Sequence, residues 1–434
     1  MLTFTTRRAT LRGAGLMTTA LCLSLAAPLS AQELGGELTY WGGLIFSDEA
    51  NNLLVAEIEA WGEANGVDVT VEMINQNETV QRVSAAVEAG TMPDALDLGL
   101  DLLLNLSAQD VFLPVDDLFA EIGAAHGGWY PSVAAATDTT AVAGARTGVP
   151  YGVSGNMILR RTDLLEPAGF TASPATWTEM VDMAVAVTAS PVSGLGLALS
   201  NVGDGNVQVA VLQSFGGRLA GDDGRTIAID SDETRTYLAW VKDAWDKGVF
   251  PPGNATWDGA GDNQAYLSGQ AAMIANTGSV GIAARNDDPE LFADTSFSPL
   301  PGGPAGIVSP IVPSLRAIPA TADNPDAARA LIAHLANPEF LAKYYAVAIF
   351  GPVLQDHEAL PAFDGSSLIH AGLMDLVRNG TPPGFPDVFN QGFAEASSTF
   401  VIPRMVQRVV IDDWEIDAAI AEAATQLEAI YAKY

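Results

Sequence analysis

Strand-length apolar stretches recur between amphipathic helices along this 434-residue chain, and that alternation restricts it to an α/β architecture. Glu37-Leu38-Thr39-Tyr40-Trp41-Gly42-Gly43 reads as a short strand running into a glycine turn. Ser47 or Asp48 caps a helix with Leu54, Ile58 and Trp61 on one face, and Gly66 ends it. Val67, Val69, Val71 and Met73 alternate with Asp68, Thr70 and Glu72 as a second strand. Residues 79–89 follow with Val80, Val83 and Val87 at helical spacing, stopped by Gly90, and Ala95-Leu96-Asp97-Leu98 is a third, buried strand. Such βαβ units predict a mostly parallel sheet.

The pattern returns beyond Val149, with helices predicted after Ser231 (Leu238, Val241, Trp245), after Asn324 (Ala330, Leu331, Leu335) and over residues 414–431. Pro and Gly gather at residues 147–150, 298–304 and 350–352, three candidate crossovers between lobes.

The first thirty residues have a different character. Arg7, Arg8 and Arg12 precede an apolar stretch from Gly15 to Ala27 and the small-residue site Leu29-Ser30-Ala31. That is the layout of a secretory signal with cleavage after Ala31, and the stretch is short for a membrane span. The Arg pair is also compatible with the twin-arginine route. The only cysteine, Cys22, lies in this leader, so the exported chain has no disulfide, thiolate or cysteine metal ligand. It must rely on burial, and with 48% hydrophobic residues it has the means. Removing three arginines leaves 17 basic against 52 acidic residues, a net charge of −35. A surface that acidic repels phosphate backbones, which excludes nucleic acid as a partner.

Several segments resemble extracellular solute-binding proteins of ATP-driven importers, in the carbohydrate-binding cluster that includes maltose-binding protein. They are residues 40–43, Ala89-Gly90-Thr91-Met92-Pro93-Asp94, Gly148-Val149-Pro150-Tyr151-Gly152 with Asn156, residues 161–165 with 174–179, Tyr266 to Met273, and Phe297 to Gly303. They keep the family's order over almost the whole exported chain. The resemblance implies a two-lobe periplasmic binding protein fold of type II, each lobe a doubly wound α/β sheet, with discontinuous lobes joined by a hinge. It places the leader at residues 1–31, the first lobe at 32–147 and 301–351, and the second at 148–300 and 352–434. It implies a periplasmic monomer that binds a ligand between the lobes and docks on the permease subunits of an ABC transporter.

Cleft candidates follow from residue chemistry at the carboxyl ends of strands. Trp41 offers a ring face, and Gly42 and Gly43 permit backbone approach. Asn77, Asp97 and Asp101 offer groups for hydroxyls. Tyr151 and Asn156 follow the first crossover, Trp257 and Asp258 flank a helix with Asn276 and Gly278, and Ser314 and Arg316 follow the return. Maltodextrin binders of this family carry an aromatic shortly after the glycine that matches Gly278; Val280 stands there, which favours a smaller ligand.

The leading expectation is reversible capture of a small carbohydrate or polyol, with no catalytic residue, cofactor or metal. One alternative is an anionic sugar derivative read by Arg316. The other is a glycan-degrading enzyme using Asp97 and Asp258. Residues 152–156 narrowly miss a nucleophile elbow, and the four histidines lack metal-ligand spacing. Tyr344-Tyr345, set against the tyrosine pair of ferric-ion binders, reads as a helical segment with one ring packed and the other in solvent.

Overall fold

The computed structural model describes residues 34–45 and 47–434, side chains of Gln76 and Asn77 excepted. The leader, with its cleavage site and Cys22, lies outside them. Among the described residues no helix is long and apolar enough to cross a membrane.

Among the described residues eleven strands form: β1 (Glu37–Gly43), β2 (Asp68–Ile74), β3 (Ala95–Gly99), β4 (Val149–Ser154), β5 (Met157–Arg161), β6 (Ser193–Gly196), β7 (Ala271–Asn276), β8 (Thr295–Ser298), β9 (Gly302–Gly303), β10 (Gly306–Ile307) and β11 (Val312–Ala317). The first sheet has the order β2-β1-β3-β11-β4 and the second β6-β7-β5-β8, with β9 and β10 a separate hairpin. Each lobe is an α/β layer built on one sheet. The expectation of mostly parallel sheets fails. Only β1 with β2, β1 with β3, and β6 with β7 run parallel. β11 returns from the other lobe and slots antiparallel between β3 and β4, and β5 runs antiparallel to β7 and β8.

Local signals set the helix ends. Ser47 accepts from the Ala50 N–H and Gly66 closes the helix Asp48–Asn65 at φ 69°, a left-handed conformation that glycine adopts without strain. Ser231 and Asn324 cap the helices Asp232–Asp246 and Pro325–His334 in the same way. The helix predicted from residue 79 begins earlier, at Gln76.

Strand alternation then sorts the core. Leu38 and Tyr40 pack with Leu54, Ile58 and Trp61 on one face of the first sheet. Trp41 packs with Ile74, Val83 and Leu96 on the other. The second lobe gathers its core around Trp177, Leu212 and Tyr237, with the helices Val401–Val410 and Ile416–Tyr431 completing it.

The strand pairing moves the crossings. Val149–Ser154 is an edge of the first sheet rather than the start of the second lobe, because Val149, Tyr151 and Val153 bury into the first lobe's core. The chain passes between sheets at Gly155-Asn156, again at Ser309–Ile311, and a third time after the helix Leu368–Asn379. Residues 353, 354, 374, 376 and 377 are buried with the first lobe, so the final return falls near Thr381 rather than at 352. The crossings lie side by side. Thr381 N donates to Ser309 O at 2.8 Å, Ile311 N donates to Thr381 O at 2.9 Å, and Gly155 is wedged against Leu376 and Pro310.

That wedge yields a test. A Cβ on Gly155 would stand 2.6 Å from Leu376 Cδ2 and 2.9 Å from Pro310 O. Gly155→Ala is expected to lose about 1–3 kcal/mol, as overpacking does, read as a lower urea midpoint at unchanged slope.

Candidate functional site

Strand order reverses between β1 and β3, and it is beyond the carboxyl ends of such a pair that an open α/β sheet leaves a crevice. Gly43 ends β1, Asp97 lies near the end of β3, and both line a cavity of about 730 Å³. Asp101, Tyr151, Ser154 and Ser314 add to the wall from the first lobe, Asn156 from the first crossing, and Asn276 from the end of β7. Both sheets therefore face one cavity.

Asp97 is held by a buried network. Tyr40 Oη donates to Asp97 Oδ1 at 2.5 Å and Gly43 N donates to Oδ2 at 3.2 Å. Arg316 Nε lies 3.3 Å from the same Oδ1 and donates to Tyr40 Oη at 2.9 Å. The Arg316 guanidinium sits 4.1 Å from the centre of the Tyr151 ring. Burial raises the Asp97 carboxyl above its usual range, while Arg316, Tyr40 and the Gly43 amide pull it back. The cluster shapes the floor of the cavity and fixes the Asp97 carboxyl at its edge.

Seven of the fourteen candidates line this cavity: Gly43, Asp97, Asp101, Tyr151, Asn156, Asn276 and Ser314. The others do not. Trp41 is a core residue on the far face of β1, with Arg82 stacked 4.7 Å from its ring. Gly42 is packed so closely that a Cβ would strike Met73, and Gly278 likewise abuts Ile369. Trp257 is half-buried beneath Gly261 and Asp258 is exposed, accepting from Ala260 N at 3.0 Å. Arg316, with 2% of its side chain exposed, is spent on Asp97 and Tyr40 below the surface of the cavity. Asn77 falls in the first turn of the helix Gln76–Ala89, its side chain outside the description.

Sequence reasoning missed Thr79, Ser154, Asp204, Asn206, Gln213 and Asn263, all in the wall. Asp204 and Asn206 sit in the short turn Gly203–Asn206, whose sequence resembles any polar loop. Ser154 stood in view as part of the near-miss elbow, and only the pairing of β4 turns it toward the cleft. The tyrosine pair also differs from expectation, since both rings are buried. Tyr344 stacks on Phe340 and Phe350, and Tyr345 Oη donates to Tyr151 O at 2.7 Å. Among the described residues no three His, Cys, Asp or Glu converge as a metal requires.

Residues 56–367 match the family model described as bacterial extracellular solute-binding protein. The chain belongs to that family. Its fold is similar to that of several solved binding proteins. An ABC transporter solute-binding protein from Thermotoga lettingae bound with alpha-D-tagatose is 20% identical, with a TM-score of 0.76 over 92% of this chain and 100% of that one. Maltose-bound MalE3 of T. maritima is 21% identical, at 0.76 over 91% and 100%. The sugar-binding protein MalE of Xanthomonas citri is 22% identical, at 0.76 over 92% and 98%. Among curated protein sequences none matches this chain.

The binding protein's dependence on the buried network is measurable. Arg316→Met strands the Asp97 carboxylate without its countercharge and is expected to cost about 3–5 kcal/mol of unfolding free energy. The double variant Asp97→Asn, Arg316→Met removes both charges and is expected to recover most of that loss by denaturant titration.

Proposed function

We propose that this solute-binding protein captures a small neutral or aminated carbohydrate or polyol between its lobes and delivers it, as a periplasmic monomer, to the permease of an ATP-driven importer. In this reading the leader is removed near Ala31 and no bond is made or broken in the cleft. The observation that carries the reading is the cavity of about 730 Å³ between two hinged sheets, walled by short polar side chains at strand ends. Tyr151, Phe350 and Ile349 offer apolar surface for ring carbons, and Asn156, Ser154 and Ser314 offer groups for hydroxyls. The sugars held by the T. lettingae and T. maritima proteins support the ligand class.

The two alternatives lose their footing. The anionic ligand depended on Arg316, which is committed to Asp97 and absent from the wall. The glycan-degrading enzyme depended on Asp97 and Asp258 working as a pair, yet Asp97 is tied to Arg316 and Asp258 stands outside the cavity.

Thermal unfolding of residues 32–434 against neutral and aminated monosaccharides, disaccharides and polyols, with sugar phosphates and sugar acids as controls, tests the reading. A ligand at 100 times its Kd adds about 2.7 kcal/mol and raises the midpoint by a few degrees. Asn156→Ala is expected to weaken the responding compound about threefold to tenfold, the worth of one hydrogen bond. A flat response to every sugar and polyol, or a response to sugar phosphates alone, would overturn the reading.

A further inference from the structure

We infer that the ligand carries a positively charged group, a protonated amine on the carbohydrate or polyol body, and that Asp204 is the residue that selects it. The inference rests on the carbohydrate reading above. It begins with the charge of the wall. The residues lining the cavity include Asp97, Asp101 and Asp204 but no lysine, arginine or histidine. Asp97 is answered by Arg316. Asp101 is acted on by burial alone, and Asp204 by burial and by the negative charge of Asp262. Two carboxylates thus face the cavity without a cation, one from each lobe.

The hydrogen-bonding inventory points the same way. Asp204 Oδ2 and Asn206 Oδ1, two residues apart on one turn, are sealed from solvent with no donor. Such orphaned acceptors are costly in a finished interior and tolerable where an incoming donor settles their field. The amide nitrogens of Asn206, Gln213 and Asn276 are already committed. Asn206 Nδ2 donates to Ser397 O at 3.2 Å, Gln213 Nε2 to Gly384 O and Asp387 Oδ2 at 2.8 Å each, and Asn276 Nδ2 to Asp262 Oδ2 and Asn263 Oδ1 at 2.6 Å each. The wall around the Gly203–Asn206 turn therefore presents open acceptors, while the amide donor beside them is engaged. An ammonium, which only donates, complements that wall better than a hydroxyl, which does both. Asn156, across the crossing, stays available for the ligand's hydroxyls.

Charge neighbours leave Asp204 uncompensated. Arg408, on the helix Val401–Val410 beside the turn, is paired with Asp412 and Glu422, and Arg404 on that helix acts on Glu422. Asp262 is buried and accepts from Asn276 and from Asn263 N. Burial, with Asp262 adding to it, pushes the Asp204 carboxyl up to about 7. A proton therefore occupies Asp204 at pH 6 and is largely gone at pH 8. A ligand amine competes with that proton, so its affinity must rise with pH across this range, whereas a neutral ligand gains no such slope.

Isothermal titration of residues 32–434 with matched pairs decides the matter: glucosamine against glucose, galactosamine against galactose, and glucamine against sorbitol. The aminated member of the binding pair is expected to be at least about tenfold tighter, the strength of a charge-assisted hydrogen bond, read at pH 8 for glucamine and at about pH 7 for the two hexosamines, whose less basic amines lose their proton by pH 8. Glucamine, an alkyl amine with a lysine-like pKa of about 10, stays protonated throughout and serves for the pH series. Its advantage is expected to shrink about tenfold between pH 8 and pH 6 as Asp204 takes up its proton. Asp204→Asn is expected to erase the advantage and its pH slope, read as the ratio of aminated to neutral affinity in the same variant, and Asp204→Glu to restore part of both. A neutral sugar binding as tightly as its amino analogue, with Asp204→Asn indifferent, overturns this inference and leaves the carbohydrate reading intact. Silence from every pair and from the wider panel overturns that reading and takes this one with it.

Discussion

The returning strand β11 determines most of what this protein can be. It arrives from the other lobe and inserts antiparallel between β3 and β4, closing the first sheet with residues remote from it in sequence. Its cost is that Arg316, opposite Asp97 in register, is carried into the interior. A buried guanidinium is tolerable only beside a countercharge, and Asp97 supplies it, with Tyr40 Oη accepting from Nε and the Tyr151 ring lying against the guanidinium face. The same insertion makes β4 part of the first lobe and so displaces the crossing to Gly155-Asn156. Sheet closure, hinge position and the floor of the cleft are consequences of one strand's placement.

That dependence explains which parts of the molecule were legible in the sequence. Helix ends were, because Ser47, Ser231, Asn324 and Gly66 act through local hydrogen bonds and backbone dihedrals. The βα units of the first hundred residues were, because alternation and helical spacing are properties of short segments. The crossings were not. Pro and Gly at residues 147–150 and 350–352 mark turns as readily as hinges, and only the pairing of Val153 with Gly351 assigns both to one lobe.

The cleft divided along the same line. Gly43, Asp97 and Asp101 were found because the carboxyl end of a strand can be counted along the chain. Trp41 and Trp257 were misjudged because a tryptophan beside a glycine turn looks the same whether it faces a ligand or a neighbouring helix. Trp41 occupies the position on β1 that faces Val83 and Leu96, and strand parity decides that outcome once the sheet has helices on both faces. Asp204 and Asn206 were invisible because they belong to a turn that acquires meaning only when the second lobe confronts the first.

The charge of the chain makes a last distinction between surface and site. A net charge of −32 is spread mostly over exposed carboxylates, where salt screens each beyond about 8–10 Å and only solubility and long-range steering respond. Asp101 and Asp204 stand in a different medium, between protein walls that exclude much of the water and keep their fields from being screened. An acidic surface and an acidic cleft therefore have separate causes and separate consequences. The first concentrates any cation near the protein, while the second distinguishes a cation bearing hydroxyls, which Asn156 and Ser154 can engage, from a bare ion, for which no cluster of three ligands exists among the described residues.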